Sequence, residues 1–206
     1  IRDRDMLSRA MARELAKSAA QDIASWNQLG CLSPHIIYIE KGGAVSPELF
    51  SGMLADSLEA IENEQPRGDI SPKINDDITY IRKFFESRAS RSGDVRQWSS
   101  AIDTSWTVVF EEDTLFTTSC QNRFIHVKSI KDIDEMLRVA EMTRGKVSTV
   151  GLSAPKNEAN KIFKKLAHWG VSRICPIGKM QDPALGWRHD GRPTLGDMVT
   201  WTDWEQ

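Results

Sequence analysis

The chain has 206 residues, 40% of them hydrophobic and 27% charged, with a net charge of -2. That balance suits one domain, or two small ones, with a real core; it excludes wholesale disorder and a basic protein that grips nucleic acid by charge. No apolar run reaches the ~18 residues of a membrane span, and no signal-peptide pattern opens the chain.

The elements follow from periodicity. Asp5 to about Ile23 carries Met6, Leu7, Ala10, Met11, Leu15 and Ala19 at helical spacings. Trp26 to Pro34 breaks that pattern. Ile36–Glu40 (IIYIE) predicts a buried strand, and Gly42-Gly43 a turn. Ser46-Pro47-Glu48 is a helix start, with Ser as N-cap, Pro in the first turn and an acid behind it. A loop with Pro66, Gly68 and Pro72 leads to a second helix over Asp76 to Arg88, and Ser87 to Gly93 is polar and exposed in pattern. Strands are expected over Thr107–Phe110 and Phe124–Lys128, then a helix from Ile133 to Thr143 capped by Asp132. Val147–Leu152, Asn157–Trp169 and Val171–Cys175 read as strand, helix, strand, which implies parallel pairing. The tail is a Gly- and Pro-rich loop with a last strand near Met198–Thr202. The class is α/β with a mainly parallel sheet.

The chemistry-bearing residues are few. Cys31, Cys120 and Cys175 lie far apart without a C-x-x-C pair, and His35, His126, His168 and His189 form no H-x-x-x-H pair. Neither a metal site nor a disulfide framework is expected, and sparse thiols fit a reducing cytoplasm. Cys31 sits in the break between helix and strand beside Asn27, Gln28, Gly30 and Ser33. It is a candidate nucleophile, with a buried structural thiol as the competing reading. His35 is four residues on, but Ser33 before Pro34 is driven extended and carries His35 away, against a local Cys-His dyad. His126 lies inside a strand, as a structural histidine would. His168 is in a last helical turn, where a cation suits the dipole. His189 lies in a loop and is a functional candidate. The Lys161, Lys164 and Lys165 face is solvated surface, and the tryptophans are packing residues. No G-x-G-x-x-G or Walker-type glycine loop is present.

The run Ser25-Trp26-Asn27-Gln28-Leu29-Gly30-Cys31-Leu32-Ser33-Pro34-His35-Ile36-Ile37-Tyr38-Ile39-Glu40 resembles the cysteine loop of the long-chain fatty acyl-CoA reductases of bacterial bioluminescence, members of the aldehyde dehydrogenase superfamily. His189-Asp190-Gly191-Arg192-Pro193-Thr194-Leu195-Gly196 is similar to that family's C-terminal loop, and Phe124 to Glu141 to the superfamily's strand and helix after its cofactor-contact motif.

The resemblance implies a three-layer α/β/α, aldehyde-dehydrogenase-like catalytic domain over residues 1–206, lacking an upstream nicotinamide-cofactor domain; Ile1 rather than Met at the start agrees with a piece of a longer chain or a processed start. It implies reduction of a fatty acyl-CoA to a fatty aldehyde by NADPH through an acyl thioester on Cys31. Asn27, Gln28, His35 and His189 would shape the site, with His189 near the acyl opening, and the cofactor contacts would lie upstream. Implied partners are an acyl donor, acyl-protein synthetase and acyl-transferase subunits, and further copies of the chain; nucleic acid, metal and integral membrane association are not expected. Two other readings stay open from the residues: a cofactor-free cysteine thioesterase or acyltransferase, and a non-catalytic α/β interaction module.

Overall fold

The computed structural model describes residues 9–193, 196–200 and 202–205. Helix α1 runs over Arg9–Ala24 and strand β1 over Ile36–Glu40. Helices α2 (Pro47–Glu64) and α3 (Pro72–Arg91) start alike: Ser46 and Ser71 accept the backbone N–H of Leu49 (3.1 Å) and Ile74 (3.4 Å), with Pro in the first turn. That shared cap explains why α3 begins at Pro72, four residues before the expected Asp76. It also continues past the expected end near Arg88 to Arg91, into the segment read as polar and exposed, where Ser87 and residues 90–93 are indeed exposed.

Strands β2 (Val95–Ser99), β3 (Thr107–Glu111) and β4 (Phe124–Ile130) join β1 in one sheet of order β1-β4-β3-β2. β1 and β3 both lie parallel to β4, and β2 is antiparallel to β3. β2 has no counterpart in the sequence reading, because only Val95 of its five residues is fully buried and the periodic signal is correspondingly weak. Alternate side chains of the central strands go to opposite faces. Val108, Phe110, Ile125 and Val127 pack on α1 and α2; Val109 and Phe124 pack on Ile78 and Phe85 of α3. These are the three layers, helices on both faces of a sheet. Ala12, Ala16, Ala19 and Ala20 give α1 a face of small side chains that lets α2 approach closely.

Helix α4 (Ile133–Val139) is capped by Asp132, which accepts the Glu135 N–H at 2.9 Å; it ends four residues before Thr143, and a single 3-10 turn over Glu141–Thr143 follows. Strand β5 (Thr149–Leu152), helix α5 (Lys156–Trp169) and strand β6 (Arg173–Pro176) form the expected parallel βαβ unit, with Thr149 opposite Arg173. Gly170 stops α5 in the left-handed region at φ 108°. Ile162, Leu166 and Trp169 bury this unit's own core. Three of the four strand pairings are therefore parallel. The expected strand at Met198–Thr202 is absent: Gly196–Met198 is a 3-10 turn and Val199 and Thr200 pair with nothing, while Trp201 lies outside the described residues. Met198 and Val199 lack a neighbouring strand edge among the described residues. Among the described residues no helix is long and apolar enough to cross a membrane, and no cluster of His, Cys, Asp or Glu could hold a metal ion.

Candidate active site

Because β1, β3 and β4 run parallel, the loops that precede them meet at one end of the sheet. One is the cysteine loop, residues 25–35. Another is the Ser119–Arg123 loop before β4, and the third ends in Thr104, Ser105 and Trp106 before β3. The site is built where these loops are stitched together.

After α1 the chain makes a 3-10 turn over Ser25–Gln28 in which Trp26 (φ 54°), Asn27 (51°) and Gln28 (63°) are all left-handed. The loop before β4 does the same at Gln121 (64°), Asn122 (55°) and Arg123 (62°). Left-handed backbone costs a non-glycine residue roughly 1 kcal/mol or more, so six such residues persist only where contacts enforce them. Arg123 supplies those contacts. Its Nε donates to Asn27 Oδ1 at 3.1 Å, Nη1 to Glu62 Oε2 at 2.6 Å, and both Nη atoms to the Gln65 carbonyl at 3.1 Å. Asn27 Nδ2 in turn donates to the Arg67 carbonyl at 3.1 Å, and Gln28 Nε2 to the Pro34 carbonyl at 2.7 Å. Arg67 continues the network to the Thr104 carbonyl at 2.5 Å. Burial pushes both guanidiniums below their usual range, and Glu62 opposes it.

On this frame Cys31 is exposed, in a turn closed by the Ser33 N–H donating to the Gly30 carbonyl at 3.0 Å. Cys31 and His35 line a cavity of about 280 Å³ whose wall also includes Ile37 and Tyr38 of β1 and Val150 and Leu152 of β5. No hydrogen bond joins the two side chains. His35 Nδ1 is buried without a partner, and burial lowers the ring's proton affinity. The other thiols sit differently. Burial raises the Cys120 thiol to about 11 and also raises that of Cys175. Cys175 is half-buried rather than fully in the core, with Sγ 3.9 Å from the Val150 carbonyl.

The structure brings Cys31 and His35 to one cavity and places Asn27 and Gln28 in the scaffold beneath the loop. Gln28 is fully buried, and its Oε1 has no partner. His189 is not in the cavity wall. It is exposed and packs edge-on to Trp187 at 4.9 Å. His126 is the structural histidine expected, buried with Nδ1 3.3 Å from Glu111 Oε2. Sequence reasoning missed Arg123, Asp22 and Gln181. Arg123 could have been suspected as a lone cation at a strand's start. Asp22 and Gln181 reach their partners across more than 140 residues, and no local pattern signals that.

The sequence matches the family described as Acyl-CoA reductase (LuxC) over residues 5–201. The chain belongs to the LuxC acyl-CoA reductase family. No curated protein sequence matches it. Among solved structures it is similar to the bifunctional proline utilization A (PutA) protein, at TM-score 0.63 and 13% identity, over 89% of this chain. The chain spans only 20% of that protein's length. At that identity the likeness concerns fold alone: a mixed α/β architecture with a mainly parallel sheet.

Proposed function

We propose that Cys31 is the nucleophile of an acyl-CoA reductase that converts a long-chain fatty acyl-CoA to the aldehyde through an acyl-cysteine. The observation that carries this reading is the contrast in access among the thiols: Cys31 is exposed on a braced polar turn, whereas Cys120 and Cys175 are half-buried and burial raises both thiols. Only the thiolate attacks. Cys31 Sγ adds to the thioester carbonyl, the C–S bond to CoA breaks, and the CoA thiolate leaves with a proton, so that an acyl group replaces the proton of Cys31. The main-chain N–H of Cys31 would donate to the oxyanion.

The β1-to-α2 connection contains Gly42-Gly43 but no G-x-G-x-x-G, and no other glycine pair joins a parallel strand to a helix. NADPH would supply the hydride that reduces the acyl group. Incubation with hexadecanoyl-CoA followed by peptide mass spectrometry tests the reading. A hexadecanoyl adduct on the Cys31 peptide is expected. Acylation of the Cys120 peptide, or hydrolysis of the thioester without any adduct, would overturn it; the second outcome would favour a cofactor-free thioesterase.

A further inference from the structure

The cysteine turn is held from a second side, by a part of the chain that the Arg123 network does not reach. Gln181 lies across it. Its Nε2 donates to Ser33 Oγ at 2.8 Å, and its Oε1 stands 3.3 Å from where a Cβ on Gly30 would lie. Gly30 and Ser33 are the two ends of the turn that carries Cys31. A side chain at Gly30 would push the Gln181 amide away, so the close approach uses the missing Cβ.

Gln181 is itself fixed. It follows a turn after β6 whose backbone is clamped to α1 by Asp22. That carboxylate is 3% exposed and accepts the N–H groups of Gly178 at 2.6 Å and Met180 at 3.0 Å. The carbonyl side of the same turn is held by Arg173, which donates to Met180 O at 2.7 Å and Lys179 O at 2.6 Å. α1 leads directly into the cysteine loop. The contacts therefore close a ring: Asp22 to the 178–180 backbone, Gln181 to Ser33, and the main chain from Ser33 through Cys31 back to Asp22. A buried carboxylate spent on two backbone N–H groups is a strong anchor, since charged acceptors make the stronger hydrogen bonds.

We propose that Gln181 is a positioning residue for Cys31, anchored by Asp22, so that the lobe carrying β5 and β6 sets where the thiol stands on its exposed turn. The proposal rests on Cys31 being the reactive thiol.

Two variants and two readouts test it. A hydroxyl can accept from an amide or donate to a carboxylate. Gln181→Glu therefore keeps shape and the bond to Ser33 while placing a negative charge on the turn. Like charge disfavours a thiolate, so the midpoint of the pH profile for iodoacetamide alkylation, followed on the Cys31 peptide, should rise by about half a unit or more. Gln181→Ala removes the brace. Acylation of Cys31 by hexadecanoyl-CoA should fall about ten- to a hundredfold, as misplacement of a reacting group does. Its alkylation at high pH, which needs no oriented carbonyl, should stay at the wild-type rate. Asp22→Asn, which keeps one of two acceptors, should give an intermediate loss of acylation. An unmoved midpoint in Gln181→Glu together with wild-type acylation in Gln181→Ala overturns the proposal. If Gln181→Ala does not fold, the isosteric Gln181→Glu profile decides alone. If the wild-type chain takes no acyl group yet the Gln181→Glu midpoint shifts, the positioning role stands and the acyl-transfer reading is what fails.

Discussion

Replacing Arg123 by Ala tests whether the two left-handed turns are held open by one side chain. The guanidinium makes four hydrogen bonds, to Asn27, Glu62 and, twice, the Gln65 carbonyl. Its side chain is 5% exposed and that of Glu62 18%, so this ion pair is shielded from water. Breaking such a pair from one side costs about 3–5 kcal/mol, because the carboxylate is left without its cation. Glu62 would keep only the Arg67 N–H, at 3.1 and 3.2 Å to its two oxygens. Against a typical total stability of about 5–15 kcal/mol, Arg123→Ala should lower the urea midpoint severely. Arg123→Lys keeps the charge but cannot reach Asn27, Glu62 and Gln65 from one planar fork, so its loss should fall between wild type and Ala. Urea denaturation followed by tryptophan fluorescence gives the stability. Limited proteolysis reports whether the 25–35 loop opens first. A loss below about 1 kcal/mol for Ala, the range of an exposed surface pair, would refute the idea that this arginine holds the strained turns.

Cys175→Ala should leave acylation of Cys31 intact at a cost of about 1–2 kcal/mol, whereas Cys31→Ala should abolish the acyl adduct with little change in thermal midpoint. Glu111 has a distinct pH signature. Burial by itself raises its carboxyl, but the His126 hydrogen bond and the Lys128 charge outweigh this and bring it to about 2. A folded value below the unfolded one gives stability that is complete above about 4.5 and is lost as pH falls toward 2. Urea midpoints measured from pH 5 to 2 should decline, and Glu111→Gln should flatten that decline. Ser46→Ala removes the oxygen that accepts the Leu49 N–H and should cost about 1 kcal/mol by the same denaturation assay; an unchanged midpoint would mean that α2 is held by packing alone.

Much of the fold is local in origin and therefore legible without coordinates. The Ser46-Pro47 start of α2, the Asp132 cap of α4, the Gly170 stop of α5 and the β5-α5-β6 unit each depend on residues within a turn or two of one another. The cysteine loop was likewise recognisable, because polar and small residues interrupt a helical period before a β-branched strand. Other features depended on partners far along the chain. β2 exists because β3 offers it an edge, and residues 198–200 have no such edge. His35 reaches the Cys31 cavity although its local backbone argued against any dyad, while His189, locally just as promising, packs on Trp187 instead. Sequence by itself determined the class, through periodicity, and the family, through the resemblance of the cysteine loop and the tail, and it singled out Cys31 as the candidate nucleophile. Tertiary structure alone decided how that thiol is held. Arg123 meets Asn27 across 96 residues and Gln181 meets Ser33 across 148, and contacts at such separations are set by the parallel sheet and its packed helices, not by any neighbour in the chain.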